Sequence, residues 1–555
     1  MVAQFLYEEF PFIFKKTPRE EIFGNLKSNL AIILSYLAFI CLSFRFYNGV
    51  YIGAPIGIVV ALIVLSKYRS VWNVVHTAGR PIKIVSFFTA AGISLNGFIL
   101  FGKNFAGPFL YHDVLPAALS IISLPCLFIA LLYFYGLLGK LVNRTDCLKV
   151  LTHRELFVYV VLFLFLCALA TILFSTSYGL YEYAPIYDVI YTTDSKAQFD
   201  NNVFLSYFEI NENDIRQPLF MLLAAPFMGF AYLIGSCLSP IANYSTALFM
   251  DFTQIALLIS GNYLLSLTLG LNDKQRMGFM VVLTCTYTVL LNSIVIEQYI
   301  IGYFWLMLFV YVTVSGSDSK YLKYCAIGTC LTNVVLSPIA KMRDTKYVSF
   351  LNSLWTWFKG LVVTSIGMVV AVLIVGRADV FLSTYIRKDA YASFTGTDVT
   401  AMDHVTQFLD FIEGMFLAPA SRIVELGGYP TWQLCEHPTI NIAGIAIIAI
   451  CLLSLIIHRK SFTANIFGMW IAFSVVLLGI VGWGLAENGL ILYCLYFQWA
   501  YIGLLAMLIK TAYDKIGHPI LWVILGVASI LLLLWFNIQA IWDLIAFASE
   551  NYPGA

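Results

Sequence analysis

Long apolar runs separated by short polar linkers recur along most of this chain. A helix of about 20 apolar residues crosses the hydrocarbon core of a bilayer, and a helix satisfies its own backbone there. The pattern therefore predicts roughly 13 to 15 transmembrane helices. The candidate spans are 29–45, 51–66, 82–102, 114–138, 155–175, 246–270, 277–294, 298–315, 321–337, 360–376, 439–457, 463–485, 488–510 and 519–540, with a further apolar run at 221–235.

Composition agrees with this interpretation. Hydrophobic residues make up 60% of the 555 positions and charged residues only 11%. The 32 Lys and Arg residues are balanced by 31 Asp and Glu residues, so no strong positive field exists to attract nucleic acid. The expected fold class is all-α, a polytopic protein with membrane lipids around it and no nucleic-acid partner.

Basic residues are concentrated in particular linkers, which predicts the orientation of the helices. Cytoplasmic linkers carry an excess of Lys and Arg. The linkers that follow the second and fourth spans contain Lys67, Arg69, Arg80 and Lys83, and then Lys140, Arg144, Lys149 and Arg154. We therefore expect a cytoplasmic N-terminus and an external loop after Ser175. Short cytoplasmic linkers, and no eukaryotic sorting tail, favour a bacterial plasma (inner) membrane.

The run 221–235 allows two topologies. If it crosses the membrane, Lys274 and Arg276 are external; if it lies in the interface, they are cytoplasmic. We favour the interface, because only that arrangement places the candidate acids described below on one side.

Four regions follow from the pattern. Residues 1–154 form N-terminal membrane helices, 155–376 a membrane core with an external loop at 176–242 that includes juxtamembrane helices, and 439–555 C-terminal membrane helices. Residues 377–438 form an external lid. No strand alternation of useful length occurs in the lid, so we expect short helices there, one of them the amphipathic stretch 405–417.

Charged residues close to a bilayer are costly and need an explanation. Five such residues fall on the external side in the favoured topology. They are Asp188, Asp194, Glu297, Lys341 and Arg343. Acids and bases at one membrane face are suited to a lipid-linked phosphate: a carboxylate accepts the proton of an attacking hydroxyl, and cations stabilise the departing phosphate. In this scheme Asp194 is the base, and Lys341, Arg343 or Arg216 contacts the phosphate.

The order of these features resembles the GT-C class, multi-span glycosyltransferases that use polyprenyl-phosphate sugars, such as protein mannosyltransferases and the aminoarabinose transferases of lipid A. The matching features are a span, an acidic external loop, the turn Arg216-Gln217-Pro218-Leu219-Phe220, two spans joined by a basic turn, and a second external acid. The resemblance implies that Asp194 is catalytic and Glu297 is the second acid. It also implies that Lys341 or Arg343 contacts the lipid phosphate.

The expected function is transfer of a sugar from a polyprenyl-phosphate donor to a glycan, lipid or protein acceptor at the cell envelope, with inversion. Glu297 holds the acceptor, or shares a divalent cation (Mg or Mn) with Asp194. Asp188 is a further substrate-binding candidate, and Glu487 and Tyr493 are candidates for contact with a sugar ring. The alternatives are a transporter or flippase of lipid-linked sugars, and a polymerase or ligase of surface polysaccharide.

Overall fold

A computed structural model describes most of the chain from residue 78 onwards. The described ranges are 78–102, 110–143, 151–185, 189–191, 193–208, 215–317, 322–339, 350–387, 400–435, 440–485 and 489–554, with a few isolated residues elsewhere. The predicted spans 29–45 and 51–66 lie largely outside the described residues.

The described residues are almost entirely helical. The first half contains α1 Arg80–Gly102, α2 Leu110–Ile122, α3 Leu124–Asn143, α4 His153–Ser177, α5 Gly179–Glu182, α6 Ser195–Asp200, α7 Phe220–Leu238, α8 Ser245–Thr268, α9 Asp273–Thr284, α10 Tyr287–Asn292 and α11 Tyr299–Ser315. The second half contains α12 Leu322–Thr329, α13 Phe350–Ile374, α14 Asp379–Ile386, α15 Ala401–Gly414, α16 Ile442–Ile457, α17 Phe462–Ser474, α18 Cys494–Ile516 and α19 Pro519–Asn551.

Eight helices in the described part of the chain are long and apolar enough to cross a membrane, or nine if the bent pair α2–α3 counts as one span. Two shorter apolar helices, α11 and α16, accompany them. The protein is therefore an all-α polytopic membrane protein, as the hydrophobic pattern predicts. The predicted span 114–138 is bent between α2 and α3, and two further predicted spans are interrupted: 277–294 is divided into α9 and α10, and 321–337 continues from α12 into the 3₁₀ helix Leu331–Leu336.

The region 377–438 contains the expected short helices α14 and α15, and also a β-hairpin that the sequence analysis did not predict. Its strands are β1 Ser421–Leu426 and β2 Tyr429–Leu434, paired antiparallel. Gly427 and Gly428 form the turn with φ values of +60° and +85°. Positive φ at both central residues is the requirement of a type I′ hairpin turn, so the Gly-Gly pair was the available signal.

Helix α8 lies at the centre of the bundle and packs against α4, α7 and α11. Helices α4 and α8 are antiparallel. The ring centroids of Tyr178 and Tyr244 are 6.2 Å apart where α4 ends and α8 begins. At the other end, Nε of Arg276 lies 2.6 Å from Oε1 of Glu155. We call these two ends of the bundle the Tyr178 end and the Arg276 end; α4 alone separates them by about 37 Å.

Other basic linkers also meet the Arg276 end. Lys510 donates hydrogen bonds to the carbonyl groups of Leu269 and Gly270, at 3.3 and 2.9 Å. The neighbouring Thr511 hydroxyl lies 2.7 Å from Nε2 of His458, which begins the His-Arg-Lys turn after α16. Three linkers that carry Lys or Arg are therefore grouped at one end of the bundle.

The Glu155–Arg276 ion pair supplies the first prediction. Both side chains are buried, and without Glu155 the guanidinium of Arg276 retains the more exposed carboxylate of Asp273, so a buried charge is left incompletely compensated. We expect Glu155→Gln to lower the free energy of unfolding by about 3 kcal/mol, and the double change Glu155→Met with Arg276→Met to recover most of that loss. Thermal unfolding of the purified protein in detergent measures both.

The matched control is Asp200→Asn, which removes the carboxylate of the more exposed pair formed by Lys196 and Asp200. A pair of that kind contributes about 1 kcal/mol or less. Equal losses from Glu155→Gln and Asp200→Asn would contradict the prediction.

Candidate functional site

The segment that carries Asp194 is anchored at the Tyr178 end. Asp194 immediately precedes α6, and its carbonyl oxygen accepts a hydrogen bond from the Gln198 amide at 2.8 Å. Lys196 donates to the carbonyl groups of Tyr181 and Glu182, at 2.7 and 3.2 Å. These contacts connect α6 to the short helix α5, which follows α4.

Tyr191 fixes the same segment from the other direction. Its φ of +52° is rare for a bulky residue and is maintained only where several contacts determine the conformation. The Tyr191 amide donates to the Trp432 carbonyl at 2.6 Å, and its own carbonyl accepts from Nε2 of Gln433 at 2.8 Å. Its hydroxyl contacts those of Tyr287 and Ser421. Strand β2 and helix α10 therefore determine the backbone three residues before Asp194.

Glu297 lies beside Asp194. The Asp194 amide donates to Oε1 of Glu297 at 3.2 Å, and the Gln298 amide donates to Oε2 at 3.1 Å. Glu297 is 1% exposed and belongs to a non-helical segment between α10 and α11, outside the spanning helices. The two acids predicted as catalytic are thus adjacent, although 103 residues separate them in sequence.

Burial controls the ionisation of Glu297. Removal from water, together with the negative charge of Asp194, raises the pKa of Glu297 to about 8, against the opposing effect of the two backbone amides. Glu297 is therefore mainly protonated at neutral pH. The pair combines a carboxyl group able to donate a hydrogen bond with the half-buried side chain of Asp194.

Arg216 and Tyr493 meet the site through Tyr299, two residues after Glu297. The charge of Arg216 is within electrostatic range of the Tyr299 hydroxyl and the Cys330 thiol. The Arg216 carbonyl accepts a hydrogen bond from the Leu331 amide at 2.7 Å. The rings of Tyr493 and Tyr299 have their centroids 5.6 Å apart. A cation and two aromatic side chains consequently lie close to the acid pair.

The structure therefore brings together four of the predicted site residues. The Asp194 amide bonds to Glu297, Tyr493 packs against Tyr299, and Arg216 is within electrostatic range of Tyr299. The other four predictions fall outside the described residues. They are Asp188, Lys341, Arg343 and Glu487.

Sequence reasoning missed two polar residues of α8, Asp251 and Gln254. Both are fully buried, and Gln254 hydrogen-bonds the backbone of Glu297. Their occurrence within the apolar run 246–270 was the available signal, because polar residues inside a span are costly and commonly functional.

In the part of the site that the structure describes, Asp194 and Glu297 supply the carboxyl groups available to a metal ion. Among the described residues, no group of three or more His, Cys, Asp or Glu side chains is placed to hold a metal ion. Mg²⁺ commonly binds proteins through one or two carboxylates and completes its coordination with water and substrate phosphates. Asp194 and Glu297 fit that requirement when a phosphate is present.

Comparison of the chain with protein-family models, with characterised proteins and with solved structures finds no match. Geometry and physical chemistry therefore carry the functional argument.

The raised pKa of Glu297 generates the second prediction. The folded protein holds the Glu297 proton more tightly than the unfolded chain does, so folding stability falls as pH rises from the ordinary range of glutamate towards about 8. We expect Glu297→Gln to remove this part of the pH dependence. Unfolding midpoints measured for both proteins across that range provide the test, and parallel curves would contradict it.

Proposed function

We propose that this chain is an integral membrane glycosyltransferase of the GT-C type. It transfers a sugar from a polyprenyl phosphate to an acceptor hydroxyl at the non-cytoplasmic face, in a bacterial plasma membrane. One observation carries the proposal: the backbone amide of Asp194 donates a hydrogen bond to the Glu297 carboxyl group, at the bundle end opposite the basic linkers. An enzyme that acts on a lipid-linked phosphate needs its acids together at one membrane face.

The positions of the basic linkers support this orientation. The Arg276 end also receives Lys510 and the His458 turn, and a concentration of Lys and Arg is typical of the cytoplasmic side. The acid pair is then external. Segments that flank α7 lie near that pair. The Leu219 amide, just before α7, donates to the Gly328 carbonyl beside the Arg216 turn, and Nδ2 of Asn243, in the linker after α7, donates to Oε1 of Glu182. These contacts favour the interfacial placement of α7.

In the proposed reaction the acceptor oxygen forms a bond to the anomeric carbon while the bond from that carbon to the phosphate oxygen breaks. The hydroxyl proton passes to Asp194, and the polyprenyl phosphate leaves with the bonding electrons. Direct displacement inverts the anomeric configuration. Burial of Glu297 supplies a water-poor surrounding, in which charge stabilisation is stronger than in bulk water.

The remaining site residues take supporting roles in this proposal. Arg216 neutralises the leaving phosphate, together with Lys341 or Arg343. Tyr493 contacts a sugar ring, and Asp188 and Glu487 contribute further polar contacts to the substrate. Protonated Glu297 donates a hydrogen bond to the acceptor or to the phosphate. Alternatively, Glu297 acts as a carboxylate and, together with Asp194, binds a divalent cation, Mg²⁺ or Mn²⁺.

The acceptor determines the biological role. A glycan, lipid or protein acceptor gives an ordinary transferase, whereas a lipid-linked glycan acceptor gives a polymerase or ligase of surface polysaccharide. The chemistry of Asp194 is the same in each case. A transporter or flippase of lipid-linked sugars differs, since it moves the donor and breaks no glycosidic bond.

The third prediction concerns catalysis. We expect the purified wild-type protein to transfer labelled sugar from a polyprenyl-phosphate donor, and Asp194→Asn to reduce turnover by about 10²-fold or more, because general-base catalysis commonly contributes that much. Binding of the donor should be retained. Reactions with Mg²⁺, with Mn²⁺ and with a chelator test the cation.

Asp200→Asn is the matched control, since Asp200 lies on the same short helix α6, is half-buried and pairs with Lys196. It should keep wild-type turnover. Undiminished turnover in Asp194→Asn would exclude Asp194 as the base. Donor translocation by the wild type without transfer would favour the flippase.

The fourth prediction concerns topology. Lys274 and Asn201 are both exposed, near the Arg276 end and near Asp194 respectively. In a parent chain with the exposed Cys237 changed to Ser, a membrane-impermeant thiol reagent should label Asn201→Cys in intact cells. It should label Lys274→Cys only after permeabilisation. Labelling of both positions from the same side would contradict the orientation.

A further inference from the structure

Gln254 makes an unusual contact for a residue inside an apolar helix. It lies in the third turn of α8 and is fully buried. Its side-chain amide pairs with both backbone groups of Glu297: Nε2 donates to the Glu297 carbonyl, and the Glu297 amide donates to Oε1 at 3.3 Å. The Gln254 side chain therefore makes the same two hydrogen bonds to the Glu297 backbone that a neighbouring β-strand would make.

This contact has a clear physical reason. Glu297 lies where the helical hydrogen bonds are interrupted, between the end of α10 at Asn292 and the start of α11 at Tyr299. Unsatisfied backbone groups away from water cost several kcal/mol each, so a broken helix inside a membrane protein needs other partners. Gln254 satisfies both backbone groups of the one residue in this break that carries a carboxyl group.

The carboxyl group of Glu297 is fixed at the same time. Its two oxygens accept from the amides of Asp194 and Gln298. A continuous series of hydrogen bonds thus runs from α8 through Gln254 to Glu297 and on to the Asp194 amide. Rotation of the Glu297 backbone would break that series.

We propose that Gln254 is a positioning residue of this site, which holds the backbone of Glu297 so that its carboxyl group stays buried against the Asp194 amide. Its effect on turnover rests on the proposed function. Its effect on Glu297 itself does not, and can be measured without any substrate.

In the part of the chain that the structure describes, the charged and titratable groups near Glu297 include Asp194 before α6, Tyr181 on α5 and Tyr299 on α11, and Arg216 is within electrostatic range of Tyr299. One turn before Gln254, Asp251 is within electrostatic range of Tyr181 and of Cys167 on α4. Substitution of Gln254 changes none of these groups. A change at Glu297 in a Gln254 variant would therefore come from its position.

The test uses Gln254→Met, which keeps the length of the side chain and removes both hydrogen bonds. In the purified full-length protein, hydrogen–deuterium exchange is followed in the peptide that contains Asp194, whose backbone amide donates to the Glu297 carboxyl group. We expect this amide to exchange faster than in the wild type, because the freed Glu297 segment no longer holds its acceptor in place. Turnover should fall by about 10- to 100-fold with little change in KM for the donor.

The matched control is Asn262→Leu. Asn262 is equally buried on the same helix and accepts a hydrogen bond from the Tyr303 hydroxyl at 2.8 Å, two turns further from Glu297. It should leave the exchange of the Asp194 amide unchanged. If Gln254→Met does not fold, Gln254→Asn, whose shorter amide cannot reach both backbone groups, must speed the same exchange.

Unchanged exchange of the Asp194 amide in the folded Gln254 variant would overturn the proposal, as would an equal increase in Asn262→Leu. Faster exchange in a protein that transfers no sugar would support the positioning role and reject the glycosyltransferase.

Discussion

The constraint on which the rest of the structure depends is that a broken helix in a membrane protein must find new partners for its backbone. Buried amide side chains provide them here. Gln254 pairs with Glu297, and Nε2 of Gln498 donates to the Met415 carbonyl. Asn537 accepts from the Ala418 amide and donates to the carbonyl groups of Cys285 and Phe416. Each amide lies on a continuous helix and bonds to backbone groups where a neighbouring helix is interrupted or ends.

These helix breaks place polar side chains inside the bundle next to hydrogen-bond partners. An unbroken α10–α11 helix would carry Glu297 on an apolar surface, where an ionised carboxyl group is costly. The break instead places it next to two backbone amides, and burial beside Asp194 raises its pKa to about 8. The break between α10 and α11, which requires Gln254, therefore also leaves the Glu297 carboxyl group mainly protonated at neutral pH beside the carboxyl group of Asp194.

The two ends of the bundle have opposite character. The Arg276 end carries the basic linkers, and one of them is fixed by the buried pair of Glu155 and Arg276. The Tyr178 end gathers the acid pair, Tyr191 with its positive φ, and the hairpin that holds it. Charged groups in a membrane protein cost the least free energy at the two interfaces, and the basic linkers and the acid pair accordingly lie at opposite ends of α4 and α8. The proposed reaction therefore takes place at one membrane face.

The sequence by itself determined the helical class, most spans and four members of the candidate site. Apolar runs of the length of a bilayer have few alternatives, and a charge such as Glu297 in an otherwise apolar region is conspicuous. The tertiary structure decided which polar residues meet. Nothing local to Asp194 indicates Glu297 as its neighbour, and Gln254 resembles any other polar residue in a span until its partner is known. Hydrophobic periodicity reports which side chains avoid water, whereas hydrogen bonds between distant segments depend on how the helices pack and where they break.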